Sequence, residues 1–245
     1  MIDTHCHLLP ALDDGPRDAA DALELARDLV AQGVERVLCT PHYSSLFPTR
    51  HAQAEERLRA LRELLGSARL GLEISLAAEI GPGFAVTEPL EELLDRTIDR
   101  RFALVEVLGD TRPSALLAIR ERLNVSGVKL VLAHPERCRA VQRRLGVLDP
   151  LRAEGALLQV VAPSLIGRWG PEAEATAWRL VDTGRADLLG SDAHGARRRR
   201  PHLREACDLV AARLGDGVAA ELTERRPRLV MDGDGAGGGR RILRT

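Results

Sequence analysis

Histidines and carboxylates fall at the ends of apolar runs along this chain, beginning with His5-x-His7 in MIDTHCHLLPALDDG and ending with Asp192-x-His194 in LLGSDAHG. In an extended segment side chains alternate faces, so Asp3, His5 and His7 share one side while Ile2, Thr4 and Cys6 share the other. Two imidazoles therefore point together, and neutral imidazole is a good ligand for Zn, Mn or Fe. Asp192 and His194 repeat the same i, i+2 parity. Between them, ERVLCTPH ends at His42, LEISLAAE at Glu79, RFALVEV reaches Glu106 and KLVLAHPE reaches His134. Ordinary polar residues at strand borders would account for any one of these, His42 above all. The whole set points to metal-dependent hydrolysis.

These side chains need elements to converge them. Asp18 to Gln32 places Ala19, Ala22, Leu23, Ala26, Leu29 and Val30 on one helical stripe, with Gly33 as the stop. Helical patterns recur over 52–65, 87–96, 113–123, 171–183 and 202–214, with a shorter piece over 216–225. Strands are expected over 1–5, 35–40, 72–79, 101–107, 128–133, 156–162 and 186–190. Such βα alternation implies parallel strands joined by helical crossovers. An open sheet would spread its strand ends too far for one compact site, whereas a barrel gathers them on one face. The expected fold is thus α/β, a distorted seven-stranded (β/α)7 TIM-like barrel.

At 245 residues and 44% hydrophobic content the chain suits one large domain, expected over residues 1–231. The Gly- and Arg-rich segment 232–245 reads as a mobile tail. With 35 basic against 36 acidic residues, nothing suggests a general nucleic-acid or acidic-membrane surface. Lys129 is the only lysine, so the positive charge is almost all arginine. The opening residues lack a signal-peptide pattern and no apolar run approaches the roughly 20 residues of a membrane span, so a cytoplasmic location is expected. The cysteines Cys6, Cys39, Cys138 and Cys207 lack CxxC spacing and read as buried thiols.

Taken together, MIDTHCHLLPALDDGP, AHPERCR, APSLIGRWG and SDAH followed by RRPH resemble the PHP (polymerase and histidinol phosphatase) family. The likeness is greatest to its bacterial CpsB/YwqE/CapC-type tyrosine phosphatases and runs from residue 1 to about residue 231. The resemblance implies three divalent metal ions, Mn first, with Fe, Zn or Co as alternatives. His5, His7, Glu79 and Asp192 would hold the first, and Glu79, bridging, with Glu106 and His134 the second. Asp14, His42 and His194 would hold the third. It also implies Arg137 and Arg199 as phosphate contacts, with the register among arginines 197 to 200 left open.

The activity so implied is hydrolysis of phosphotyrosine on a protein, by in-line attack of a metal-bridging hydroxide, in the tail of a bacterial tyrosine autokinase controlling capsule or exopolysaccharide synthesis. Metal coordination lowers the pKa of water from about 15.7 toward neutrality, which removes the need for a protein base. A phenol leaving group, with a pKa of about 10, needs little acid assistance. A small-molecule phosphatase, such as one acting on histidinol phosphate, and a non-catalytic PHP module are the alternatives; oligomeric state is open. An amidohydrolase would want a ligand lysine, and Lys129 lies at the start of its strand.

Several residues carry secondary expectations. Asp13 reads as a loop residue or a partner to a ligand, and Asp3 as either an imidazole-orienting group or a strand-edge residue. Glu136 reads as solvent-exposed beside Arg137, and His51 and His202 as lying outside the ligand set. Tyr43, Phe47 and Trp169 are expected in loops on the active face, with Ser164 lining the cleft. Cys138-x5-Arg144 and Cys207-x5-Arg213 match the cysteine-phosphatase spacing, but neither has a glycine-rich loop of amides and both are rejected.

Overall fold

The computed structural model describes residues 1–233. Among the described residues nine strands carry the expected pattern: β1 (Ile2–Cys6), β2 (Arg36–Cys39), β3 (His42–Tyr43), β4 (Glu73–Leu76), β5 (Glu79–Ile80), β6 (Phe102–Glu106), β7 (Lys129–Ala133), β8 (Leu157–Val161) and β9 (Leu188–Gly190). They pair in two sheets, β1-β2-β4 and β3-β5-β6-β7-β8-β9, and every pairing is parallel. The fold is mixed α/β with parallel sheets.

β2 and β3 belong to one expected run, as do β4 and β5. Pro41, which has no amide hydrogen for a ladder, separates β2 from β3. At the far end Cys6 and Ala193 form a parallel bridge, His7 N–H donates to Ala193 O at 2.9 Å and Asp192 N–H donates to His5 O at 2.8 Å. The HxH segment and the Asp192-x-His194 segment are thus backbone neighbours.

Strand alternation sorts apolar side chains into two clusters. Leu38, Leu104, Val131, Ala133 and Leu188 pack with Val230 in the smaller one. Their neighbours Val37, Val105, Leu130, Leu132 and Leu189 join the larger cluster, which the helices cover. Helix Ala19–Ala31 illustrates that covering. Asp18 caps it by accepting from the amides of Ala20 and Asp21, both at 2.9 Å, a contact that contributes about 1 kcal/mol. Its buried face is Ala22, Leu25, Ala26 and Leu29, and Gly33 (φ 81°) follows its C-cap. Each fully buried leucine adds roughly 2 kcal/mol.

The helical expectations over 113–123, 171–183 and 202–214 match helices Pro113–Asn124, Pro171–Asp182 and Leu203–Leu214. The one over 87–96 is corrected: two short helices, Pro82–Thr87 and Leu90–Leu94, flank an extended Glu88 (ψ 151°). Glu88 precedes Pro89, whose ring disfavours helical backbone in the residue before it. Unforeseen helical turns lie at Arg139–Arg143, Asp149–Ala153 and Ala162–Leu165, and a final helix spans Arg226–Asp232. Of the tail expected over 232–245, only Asp232 and Gly233 are among the described residues; Asp232 accepts two hydrogen bonds from Arg36, at 2.8 and 2.6 Å. Among the described residues no helix is long and apolar enough to cross a membrane.

Candidate metal centre

Register aligns the candidate ligands before any side chain is considered. His42 on β3 is the direct partner of Glu79 on β5, and Glu106 on β6 is paired with Ala133, one residue before His134. His134 and Asp192 then leave the strand conformation with positive φ (37° and 51°). For residues other than glycine that backbone costs about 1–3 kcal/mol and persists where surrounding structure enforces it. Here two turns aim a histidine and an aspartate at one point.

Glu79 is the hub. Its Oε2 lies 3.4 Å from His5 Nε2, 3.3 Å from His7 Nε2 and 3.0 Å from His42 Nδ1, while its Oε1 lies 2.8 Å from His134 Nε2. Asp192 Oδ1 is 3.6 and 3.7 Å from the same two nitrogens of His5 and His7. Asp14 Oδ1 sits 3.4 Å from His42 Nε2 and 3.2 Å from His194 Nε2.

Three groups offer ligand atoms within 4.8 Å of one another: His5, His7, Glu79 and Asp192; His7, Asp14, His42 and His194; and His42, Glu79 and Glu106. All nine expected ligands are therefore brought together, His134 joining through its contact with Glu79. In the third group His42 stands where the resemblance places His134.

The donor set fits cations. The Nε2 atoms of His5 and His7 face each other at 3.4 Å, an arrangement that two neutral lone pairs disfavour and a shared cation relieves. Glu79 Oε2 and His194 Nε2 are buried without a hydrogen-bond partner, and such groups are costly unless something satisfies them. Charge points the same way. Burial opposes protonation of His7 and His42, yet Asp13 and Glu79 raise His7 to about 9, and Asp14 and Glu79 raise His42 to about 11. Burial and the neighbouring His7 lower His194 to about 4. Burial, then the charge on Glu79, pushes Glu106 up. The carboxylates thus demand positive charge at their centre, and O and N donors without thiolate suit Mn, Fe, Zn or Co.

A supporting layer fixes the imidazoles. Asp13 Oδ2 lies 2.7 Å from His7 Nδ1 and accepts from His42 N–H at 2.9 Å, while its Oδ1 accepts from Gly15 N–H at 2.9 Å. Asp13 is therefore the orienting partner of His7. For His5 that role belongs to Gln159, whose Oε1 lies 2.8 Å from His5 Nδ1 and whose Nε2 donates to Thr4 Oγ1 at 2.8 Å. Gln159 was not foreseen; a lone amide inside the apolar run LLQVV was its signal. Asp3 does not orient an imidazole: buried, its Oδ1 accepts from the amides of His5 (3.2 Å) and Ser191 (3.0 Å).

Arg199 donates from Nη2 to both oxygens of Asp192 at 3.0 Å and from Nη1 to Asp14 at 3.1 Å. Of its neighbours in the arginine run, Arg197 pairs with Glu24 and Arg200 with Asp28. Arg137 reaches Asp192 at 3.5 Å, and its guanidinium lies 4.1 Å from the Trp169 ring centre. Trp169 also lies 5.6 Å from the Arg199 guanidinium, so both arginines meet the face of one indole at the rim of the cluster.

The expectations for Glu136, Ser164 and Tyr43 are corrected. Glu136 is fully buried, its Oε1 accepting from Val161 N–H at 3.1 Å, and burial raises its pKa. Ser164 is also fully buried and lines no open cleft. Tyr43 is buried in β3, with the Arg96 guanidinium 3.8 Å from its ring centre and its hydroxyl on Glu88. Phe47 stacks on His42 at 5.4 Å. His51 faces Glu55 and His202 faces Glu205, outside the cluster. Cys138 and Cys207 are buried; Cys138 Sγ contacts Thr111 O, and Cys207 lies inside a helix.

Known proteins share this framework. The chain is 32% identical to the tyrosine-protein phosphatase YwqE of Bacillus subtilis, over 95% of this chain and 92% of that protein. It is 27% identical to the tyrosine-protein phosphatase CpsB of Streptococcus pneumoniae, over 95% of this chain and 99% of that protein. A crystal structure described under YwqE and CpsB as unique metal-dependent tyrosine phosphatases superposes with a TM-score of 0.86 at 30% identity, covering 95% of each chain. The family described as capsular polysaccharide synthesis, CpsB/CapC, matches residues 1–232. This chain belongs to the CpsB/CapC family.

Proposed function

We propose that this protein is a metal-dependent phosphatase of phosphotyrosine in proteins, acting in the cytoplasm on the tail of a bacterial tyrosine kinase that governs capsule or exopolysaccharide synthesis. The observation that carries the reading is the pair of facing His5 and His7 nitrogens over Glu79, rimmed by Arg199 and Arg137. We assign three ions, Mn first, to the ligand sets His5–His7–Glu79–Asp192, Glu79–Glu106–His134 and Asp14–His42–His194. The strands are read as one distorted seven-stranded barrel, with β2 continued by β3, β4 by β5, and β9 returning to β1 at the Cys6–Ala193 bridge. Residues 1–231 form its single domain.

Bound metal ions would supply an acidified water and offset charge on the phosphoryl oxygens. The protein does the rest. Glu79, touched by four imidazoles, holds the ligand sets in one frame. Asp13 and Gln159 fix the rings of His7 and His5, so that each Nε2 faces inward. Arg199 and Arg137, each half-exposed at the rim, present planar guanidinium donors to the phosphate, a geometry that lysine does not reproduce. Their contacts to Asp192 and Trp169 hold those donors ready before substrate arrives. No placed acid is required for the leaving group, since a phenolate departs readily at neutral pH.

The test is elemental analysis of the purified protein together with hydrolysis of a phosphotyrosine peptide. About three equivalents of divalent metal and activity lost to chelation and restored by Mn are expected. Full activity in metal-free protein would overturn the reading.

A further inference from the structure

Beside the metal cluster lies a cavity of about 340 Å³ whose lining includes Arg168, Trp169, Asp192, Arg197, Arg199 and His202. Its charge is lopsided. Asp192 is the only carboxylate in that lining, and Arg199 already holds both of its oxygens. Arg197 is mostly exposed and only loosely paired with Glu24, at 3.3 Å. Arg168 is exposed and has no carboxylate within ion-pairing distance among the described residues. It is nevertheless carried on a defined turn. Gly167 (φ 74°) and Gly170 (φ 87°) bracket Arg168 and Trp169, Arg168 N–H donates to Pro163 O at 2.8 Å, and Gly170 N–H donates to Gly167 O at 3.2 Å. Glu174 closes off Gly167 so tightly that a Cβ there would lie 2.8 Å from its Oε2.

The opposite flank of the cluster is chemically different. A cavity of about 440 Å³ there includes His42 and Glu106 and is walled mainly by Leu46, Phe47, Phe84 and Leu108. Its lining contains no arginine or lysine. The two flanks therefore give a substrate chain crossing the metals a polarity, with anions accepted on the arginine side alone.

We infer that the Arg168–Trp169–Arg197 cavity is a subsite for a second anionic group, a carboxylate or a further phosphate, carried within a few residues of the phosphotyrosine. The inference rests on the phosphotyrosine reading of the metal centre. Trp169 borders both positions: the Arg137 and Arg199 guanidinium groups lie over its ring, and Arg168 precedes it in the turn. Such exposed charge contacts contribute modestly, so the selection is a matter of several-fold, falling as salt rises.

The experiment compares kcat/KM at low ionic strength for phosphotyrosine peptides bearing alanine, glutamate or a second phosphotyrosine at each of the two positions before and after the reacting residue. The wild type and Arg168→Glu are assayed side by side, with p-nitrophenyl phosphate as a substrate lacking flanking groups. The wild type should favour an anionic flank by roughly fivefold at one or two positions. Arg168→Glu should abolish or invert that preference and leave p-nitrophenyl phosphate turnover unchanged. Comparison of the glutamate and phosphate arms identifies the anion. Equal kcat/KM for all peptides, or a preference that survives in Arg168→Glu, overturns the subsite and leaves the phosphatase reading standing. Turnover of p-nitrophenyl phosphate without hydrolysis of any phosphopeptide overturns both.

Discussion

Arg199 donates to both carboxylate oxygens of Asp192 at 3.0 Å, so a guanidinium and a candidate metal ligand share one position at the mouth of the cluster. The contact holds Arg199 against the cluster rather than in solvent, while Arg197 and Arg200 pair with Glu24 and Asp28. Preorganised donors of this kind act where charge develops, without reorganising at the moment of reaction.

Replacing Arg199 by alanine should lower kcat/KM for a phosphotyrosine peptide by about 100- to 1,000-fold. Arg199→Lys should recover only part of this loss, because an ammonium lacks the planar fork. Steady-state kinetics with unchanged metal content checks both. Substitution of Arg197, which faces Glu24, should leave p-nitrophenyl phosphate hydrolysis within a factor of about two.

Asp13 fixes His7 through its Nδ1 and ties down the loop through the amides of His42 and Gly15. Asp13→Asn should weaken metal binding by roughly 10- to 100-fold, as loss of an outer partner to a ligand imidazole does. Competition with a chromophoric chelator would measure it. Unchanged affinity would show that Asp13 serves the loop alone.

Gln159 bridges His5 and Thr4 inside the protein. Gln159→Leu leaves two buried polar groups without partners, which costs about 1–3 kcal/mol. In a domain of this size that should lower Tm by about 2–4 °C per kcal/mol, read by thermal denaturation of the metal-free protein. A larger shift is expected for Leu25→Ala, which opens a void beneath the first helix at about 2–5 kcal/mol.

Cys138→Ser should retain activity. The thiol is buried against Thr111 O and is not presented to a phosphate. Hydrolysis rates of the variant and the wild type should agree within about twofold, whereas a thiolate nucleophile would lose several orders of magnitude.

Much of the cluster of candidate ligands was legible in the chain because strand ends bring such side chains together by construction. His42 and Glu79 are register partners, and the parity of His5 and His7 points both imidazoles at that pair. What escaped reading depends on contacts between distant segments. Gln159 is 154 residues from His5, and nothing local marks an amide in LLQVV as its partner. Glu136 looked exposed because Arg137 follows it, yet the turn beginning at His134 drives it beneath β8 while Arg137 faces out. Tyr43 extends the sheet instead of a loop because its neighbour Ile80 supplies a pairing edge. The split of the helix expected over 87–96 was readable locally, in the proline at position 89.

The most direct test measures phosphate release from a phosphotyrosine peptide and from histidinol phosphate side by side, with added Mn and after chelation. Preference for the peptide, abolished by chelation and restored by Mn, is expected. Preference for histidinol phosphate, or peptide hydrolysis indifferent to metal, would contradict it.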